Sequence, residues 1–163
     1  MPTHVPPVVL NNTPLVALWS INRWELLHDL FGEVHVPPAV EAEFLATETG
    51  SRRKALSQAA WIQVTAVDNP RHVRSFVGLD QGEAETLALA IEQDARLVII
   101  DEIKGRRFAH RLGLPLTGTM GVLLLAKENG LVNKIAPLID QLQESGFYIT
   151  PELVSMVLSL AGE

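Results

Sequence analysis

The sequence contains no cysteine. That excludes disulfide cross-links and thiolate metal sites, and it fits a reducing compartment. No apolar run approaches the length of a membrane span. The first ten residues, MPTHVPPVVL, lack the basic flank and long apolar segment of a signal peptide. These absences lead to the expectation of a cytoplasmic protein with no membrane attachment. The common local signatures are missing too: there is no Walker A motif, no G-x-G-x-x-G and no G-x-S-x-G elbow. The five histidines (His4, His28, His35, His72 and His110) show neither HExxH nor H-x-H spacing and are read as surface or packing residues.

What is present is enough apolar material for a core. In 163 residues, 47% are hydrophobic, and the length suits a single domain. The net charge of −6 argues mildly against a nonspecific nucleic-acid binder, which needs clustered Lys and Arg. Positive charge is nevertheless grouped: Arg52–Lys54, then Arg71, His72 and Arg74, then Lys104, Arg106, Arg107, His110 and Arg111. The ordinary reading of each group is a solvated helix face. Beside an acidic site, such groups would also suit a polyanionic substrate.

The stretch from Leu79 to Arg111 organises the chain. Leu97–Ile100 (LVII) is its clearest β-branched apolar run and predicts a buried parallel strand. It ends on Asp101 and Glu102, where open α/β sheets place ligands. Around it, short strands are expected at Val8–Leu10, Val34–Val36, Trp61–Val67 and Gly113–Thr117. Between them, helical spacing predicts a hairpin from Leu15 to Phe31 capped by Asn12 or Thr13, a helix opened by Pro37–Pro38, and another near Lys54–Ala60. The span Thr47–Arg53 reads as a loop or helix break, and the polar, basic span up to Gly78 as a mobile arm. Helices are also expected around 120–128, 134–144 and 151–160, with Phe147–Ile149 a possible short extension. Strands alternating with helices predict a three-layer α/β/α fold around a parallel sheet of about five short strands. The domain runs over 1–163 with a helical extension from about 133.

Three acidic places can carry chemistry. Asp101 and Glu102 follow the buried strand, although Asp101 could simply cap the next helix. In GEAETLALA, Asp80 and Glu83 form a capping box, and the apolar stripe is Ala84, Leu87, Ala88 and Ile91. At about 100° per residue, Glu83 and Glu85 sit on opposite shoulders of that stripe, which leaves Glu85 without a structural duty. Glu41 and Glu43 flank Val40 and Phe44, and periodicity does not choose between them. Converging carboxylates repel unless protons or a cation compensate them. Oxygen donors without cysteine favour Mg²⁺ or Mn²⁺ over Zn²⁺. Gly118–Gly121 opens a helix that could bind an anion or serve close packing.

Together, VVLNNTPLVAL, VPPAVEAEF, GEAETLALA, LVIIDEIKGRRFAHRLGLPLTGTMGVLLLAKENGL and the helical tail resemble the PIN domain, in particular prokaryotic relatives of toxin ribonucleases from toxin–antitoxin modules. The resemblance implies a five-stranded parallel sheet and a metal-dependent, single-strand-specific ribonuclease using three or four acids. It also implies a homodimer and an antitoxin partner. Matched residue by residue, its acids fall on Glu43, Glu85 and Asp101, with Glu102 close enough to shift with Asp101. Its first acid falls on Asn11, with Thr13 as the hydroxyl that follows. On this basis Glu43, Glu85 and Asp101 are the expected catalytic residues, and Asn11 and Glu102 join them as metal ligands. Thr13, Lys104, Arg106 and Arg107 are the expected RNA contacts. Asn11 departs from the family pattern: an amide oxygen ligates Mg²⁺ but lacks the charge that helps hold it, so weak metal affinity and reduced or lost activity are expected. Two other readings stand beside the ribonuclease. One is a noncatalytic PIN-fold module that binds RNA or protein. The other is a small-molecule phosphohydrolase, which needs a defined phosphate pocket.

Overall fold

A computed structural model describes residues 5–47 and 50–163. His4, and the Glu48–Thr49 part of the expected loop, lie outside the described residues. Five parallel strands form one sheet in the order β3-β2-β1-β4-β5: β1 (Val8–Leu10), β2 (Val34–Val36), β3 (Ile62–Val64), β4 (Leu97–Ile99) and β5 (Leu116–Thr117). Helices cover both faces, making a three-layer α/β/α fold. β1 and β4 are central and pair Leu10 with Ile99.

The strands alternate between two cores. Val8, Leu10, Val34, Val36 and Ile99 face one side, which packs against α1 (Asn12–Ser20), α2 (Glu25–Phe31), α3 (Pro38–Ala46), α8 (Thr119–Glu128), α9 (Ala136–Glu144) and α10 (Pro151–Leu160). Val9, Val98 and Ile100 face the other side, against α6 (Gln81–Glu92) and α7 (Ile103–Arg111). Period-2 alternation with both faces buried is what a parallel sheet demands of its strands. On the larger side Phe44 is fully buried and meets Trp19 edge-on at 5.9 Å and Trp24 stacked at 6.1 Å.

Several boundaries differ from the sequence expectation. α1 begins at Asn12, so neither Asn12 nor Thr13 is its cap. Asn11 holds that position, extended at φ −84° and ψ 168°, with no side-chain cap bond. Its N–H donates to the Ile99 carbonyl at 3.0 Å, so the chain turns from sheet into helix within one residue. α4 (Ser51–Gln58) starts earlier than expected, inside the TETGSRR segment. β3 is only three residues long, and 147–149 form neither strand nor helix. The supposed mobile arm is not an arm. It contains α5 (Pro70–Arg74), capped by the Asn69 side chain, and Phe76 is buried against Phe108. Glu92, at the end of α6, accepts the N–H groups of Asp68 and Asn69 at 2.7 and 2.9 Å and also bonds His72. Polar residues that read as solvated are consumed in local bonds.

The helical tail is tied down by Glu163. Its carboxylate accepts the N–H of Ile135 at 2.8 Å and of Ala136 at 3.1 Å, at the start of α9, and pairs with Lys127 of α8 at 3.0 Å. An anion at a helix N-terminus is favoured by the unpaired amides there. Those contacts, the Ile135 N–H first and then Lys127 among the rest, hold the carboxyl down at about 2. A depressed folded-state value means that the stabilisation is complete above the ordinary carboxylate range and is lost as pH falls from there toward 2. Glu163→Gln should therefore lower the melting temperature at neutral pH and narrow its gap to the parent progressively below pH ~4.5. A gap of constant size down to pH ~2 would contradict this account.

Candidate active site at the carboxyl edge of the sheet

All five strands run the same way, so their carboxyl ends open on one edge. Asn11 follows β1 there, and Asp101 follows β4, its partner strand. α3 and α6 pack together beside this edge and bring Glu43 and Glu85 to it.

Gly82 makes room where α3 meets α6. A Cβ at that position would run into the Glu43 carboxylate, so the bare backbone leaves room for that carboxylate against the first turn of α6. The Glu43 carboxyl is raised by partial burial first. The charge of Asp80 and, more weakly, that of Glu85 raise it further, against a lowering contact from the Asn12 side chain. Glu85 is fixed at both oxygens: Oε1 accepts the Ala39 N–H at 3.1 Å and Oε2 accepts from Gln81 at 2.6 Å. It therefore does carry a structural duty, tying α6 to the start of α3. Asp80 caps α6 through the Glu83 N–H at 2.8 Å. Burial, and then Asp80, raise Glu83 to about 7. The apolar stripe of α6 is wider than expected, taking in Thr86, Leu89 and Ala90, while Ile91 at its end is 40% exposed.

Asp101 does not cap the helix that follows it. Glu102 occupies that cap position, without a side-chain bond. Asp101 instead reaches α8: Oδ1 accepts the Thr119 N–H at 2.8 Å and Oδ2 accepts the Thr119 hydroxyl at 2.6 Å. The anion at the Gly118–Thr119 helix start is thus the protein's own carboxylate. Gly118 leaves the room for it, since a Cβ there would meet Asp101 Oδ1 at 2.5 Å.

Asn11 is 4% exposed. The hydroxyl of Thr86 lies 2.7 Å from the Gly82 carbonyl and 3.3 Å from Asn11 Oδ1. It has one proton, and the shorter contact takes it. Rotating the Asn11 amide lets Nδ2 donate to Thr86 Oγ1 and turns Oδ1 away from Thr86. The neighbouring Asn12 Oδ1 is buried and has no hydrogen-bond partner.

Other candidates sit around this edge. Thr13, Asp101, Glu102 and Thr119 line one cavity of about 610 Å³. Glu102 also lines a second hollow with Asp80, Glu83 and Lys104. Lys104 and Arg107 are exposed, whereas Arg106 is partly buried and donates to the Ile100 carbonyl at 2.9 Å. Asp80 was not singled out as a site residue by the sequence. Its signal was present in the spacing to Glu43's helix only after folding, because its capping role hid its charge.

The family model for DUF3368, a PIN domain, matches residues 7–163. The chain belongs to the PIN-domain family. No curated protein matches it. PIN domains are generally metal-dependent nucleases, so the donors were tested against a divalent cation. Among the described residues no three Asp, Glu, His or Cys side chains are grouped closely enough to hold an ion by themselves. The same residues fit a hydrated ion. Among the described residues the ion pairs are Glu33–His35, Glu92–His72 and Glu163–Lys127, so none of Glu43, Glu85 and Asp101 has a base within ion-pair distance, although Arg106 comes near Asp101 beside Gly118. The orphaned Asn12 oxygen adds a hard neutral donor. Mg²⁺ retains several waters and commonly takes only one or two protein carboxylates.

Because both Asp101 oxygens hold the start of α8, its removal tests structure as well as chemistry. Asp101→Ala should cost about 1.5–3 kcal/mol of stability, the range for hydrogen bonds to a charged group. Urea unfolding of Asp101→Ala and Thr119→Val measures this. Unchanged midpoints in both would show the contact to be energetically idle.

Proposed function

We propose that this PIN-domain protein is a metal-dependent ribonuclease that hydrolyses phosphodiester bonds of single-stranded RNA. We further propose that it is the toxin component of a cytoplasmic toxin–antitoxin pair and works as a homodimer under an antitoxin protein. The observation that carries the enzymatic reading is the uncompensated charge at the sheet edge. Glu43 is raised by its acidic neighbours, and no base lies within ion-pair distance of it among the described residues.

Glu43 and Glu85 would hold the ion, Mg²⁺ or Mn²⁺, with Asn11 and Asn12 offering amide oxygens. When bound, such an ion supplies positive charge to a phosphoryl oxygen and acidity to a water. The chain's own residues then have distinct tasks. Gln81 and the Ala39 N–H orient Glu85. Thr119 fixes Asp101 at the cavity wall, opposite the Thr13 lining. Lys104 and Arg107, on the exposed side of α7, offer charge to the RNA backbone, while Arg106 braces the end of β4.

A second reading has its own observation: Asn11 is neutral and buried where the family places its first acid. It makes the protein a catalytically impaired module that binds RNA or protein. Two variants separate the readings. Under the enzymatic reading, Mn²⁺ raises the melting temperature of the parent protein, and Glu43→Gln reduces RNA cleavage to background while leaving the fold intact. Cleavage that persists in Glu43→Gln, or in excess chelator, removes that reading. Under the second, Mn²⁺ has no effect on the parent but stabilises Asn11→Asp, by about 2.7 kcal/mol at a hundred times its Kd.

A further inference from the structure

Three surface hollows meet at one side chain. Ile103, 67% exposed, borders the acidic hollow by Asp80 and Glu83, a basic groove, and the cavity at Asp101. The basic groove, about 440 Å³, carries Arg107, His110 and Arg111 on the outer side of α7. The cavity across the ridge is different in kind. Besides Asp101, Glu102 and the hydroxyls of Thr13, Thr119 and Thr150, its wall carries an apolar and aromatic stretch of Phe147, Tyr148, Ile149 and Leu153.

Tyr148 stands out on this wall at 86% exposure. Its backbone is nonetheless held on both sides. The Phe147 N–H donates to the Leu142 carbonyl at 3.1 Å, Ile149 is buried, and the Thr150 side chain caps α10 through the Leu153 N–H. The ring is therefore presented from an anchored segment, and ordering it on binding costs little. A large exposed aromatic beside a charged site is the platform on which an unpaired base stacks.

We propose that Tyr148 is a base-stacking platform for single-stranded RNA. The strand's phosphates follow Arg107, His110 and Arg111 on one side of Ile103, and one nucleobase enters the aromatic cavity on the other side. Charge sorts the two parts. The carboxylates of Asp101 and Glu102 repel a phosphate from the aromatic cavity but not a neutral base, and the guanidinium groups attract the backbone to the groove. A duplex, whose bases are already stacked, cannot use the ring. The proposal rests on the RNA reading above and names how that substrate would be gripped.

The test is binding without turnover. Fluorescence anisotropy of a labelled oligouridylate of about ten nucleotides, within the usual site size for such strands, is followed in excess chelator over a salt series. Tyr148→Ala should weaken binding roughly 5- to 150-fold at every salt concentration without changing the salt slope. Tyr148→Trp should retain affinity, and Tyr148→Leu, apolar but without a π face, should not. Arg107→Ala should instead flatten the slope by about 0.7. Affinity unchanged in Tyr148→Ala, or failure of the parent protein to bind the oligonucleotide, overturns the proposal. So does a change of molecular mass in Tyr148→Ala by light scattering with affinity intact, which would make the cavity a contact between copies of the chain. Binding that behaves as expected while no cleavage occurs with Mn²⁺ would sink the nuclease reading alone.

Discussion

Parallel pairing is the constraint on which the rest of this structure depends. The two central strands, β1 and β4, are three apolar residues each and supply no polar group from their own length. Polarity must come from the residue that follows each strand, and parallel direction sends all those residues to one edge. Asn11 and Asp101 reach the same edge for that reason: Leu10 pairs with Ile99, Asn11 comes one residue after the pair and Asp101 two. Everything proposed about chemistry follows from this shared edge and from α3 and α6 packing next to it.

The acids at that edge also work as parts of the scaffold. Asp101 holds the first residue of α8, Glu85 holds the first turn of α3, and Asp80 starts α6. Each uses the unpaired amides of a helix start, which favour negative charge. The arrangement fixes carboxylates in place before any cation arrives. It also means that a carboxylate replaced to test catalysis is liable to disturb a helix. Glu43 is the exception: its carboxylate lies against Gly82 with no backbone N–H bonded to it, and its raised ionisation reflects neighbours and burial.

Much of this was legible in the sequence because it rests on local rules. The apolar run Val8–Leu10, the run Leu97–Ile100 and the Asp80–Glu83 capping box each announce themselves within a few residues. What was not legible depended on distance. Nothing near Asp101 says that its partner is Thr119, eighteen positions on, rather than its own helix. Nothing near Asp68 or Asn69 says that Glu92 will take their N–H groups, so a stapled segment read as a mobile arm. Asn11 read as a missing charge because Thr86, seventy-five residues away, was invisible as its neighbour.

That neighbour changes what the substitution means. An aspartate at position 11 would be almost wholly removed from water, beside a hydroxyl whose only proton is drawn to the Gly82 carbonyl. Its charge would lack a donor on that side and, with Asp101 beyond the end of the adjacent strand, would share the edge with like charge. Burial and like charge both favour the protonated form, so ionisation at neutral pH would require a cation, and folding would be linked to its binding. Asparagine breaks that link. Its neutral amide lies 3.3 Å from the Thr86 hydroxyl and carries no charge that a cation must offset. The remaining charge, on Glu43 and Glu85, lies on helices beside the sheet rather than in its centre. A cation at this edge would therefore find its negative charge on Glu43 and Glu85, on the α3–α6 side, rather than at position 11.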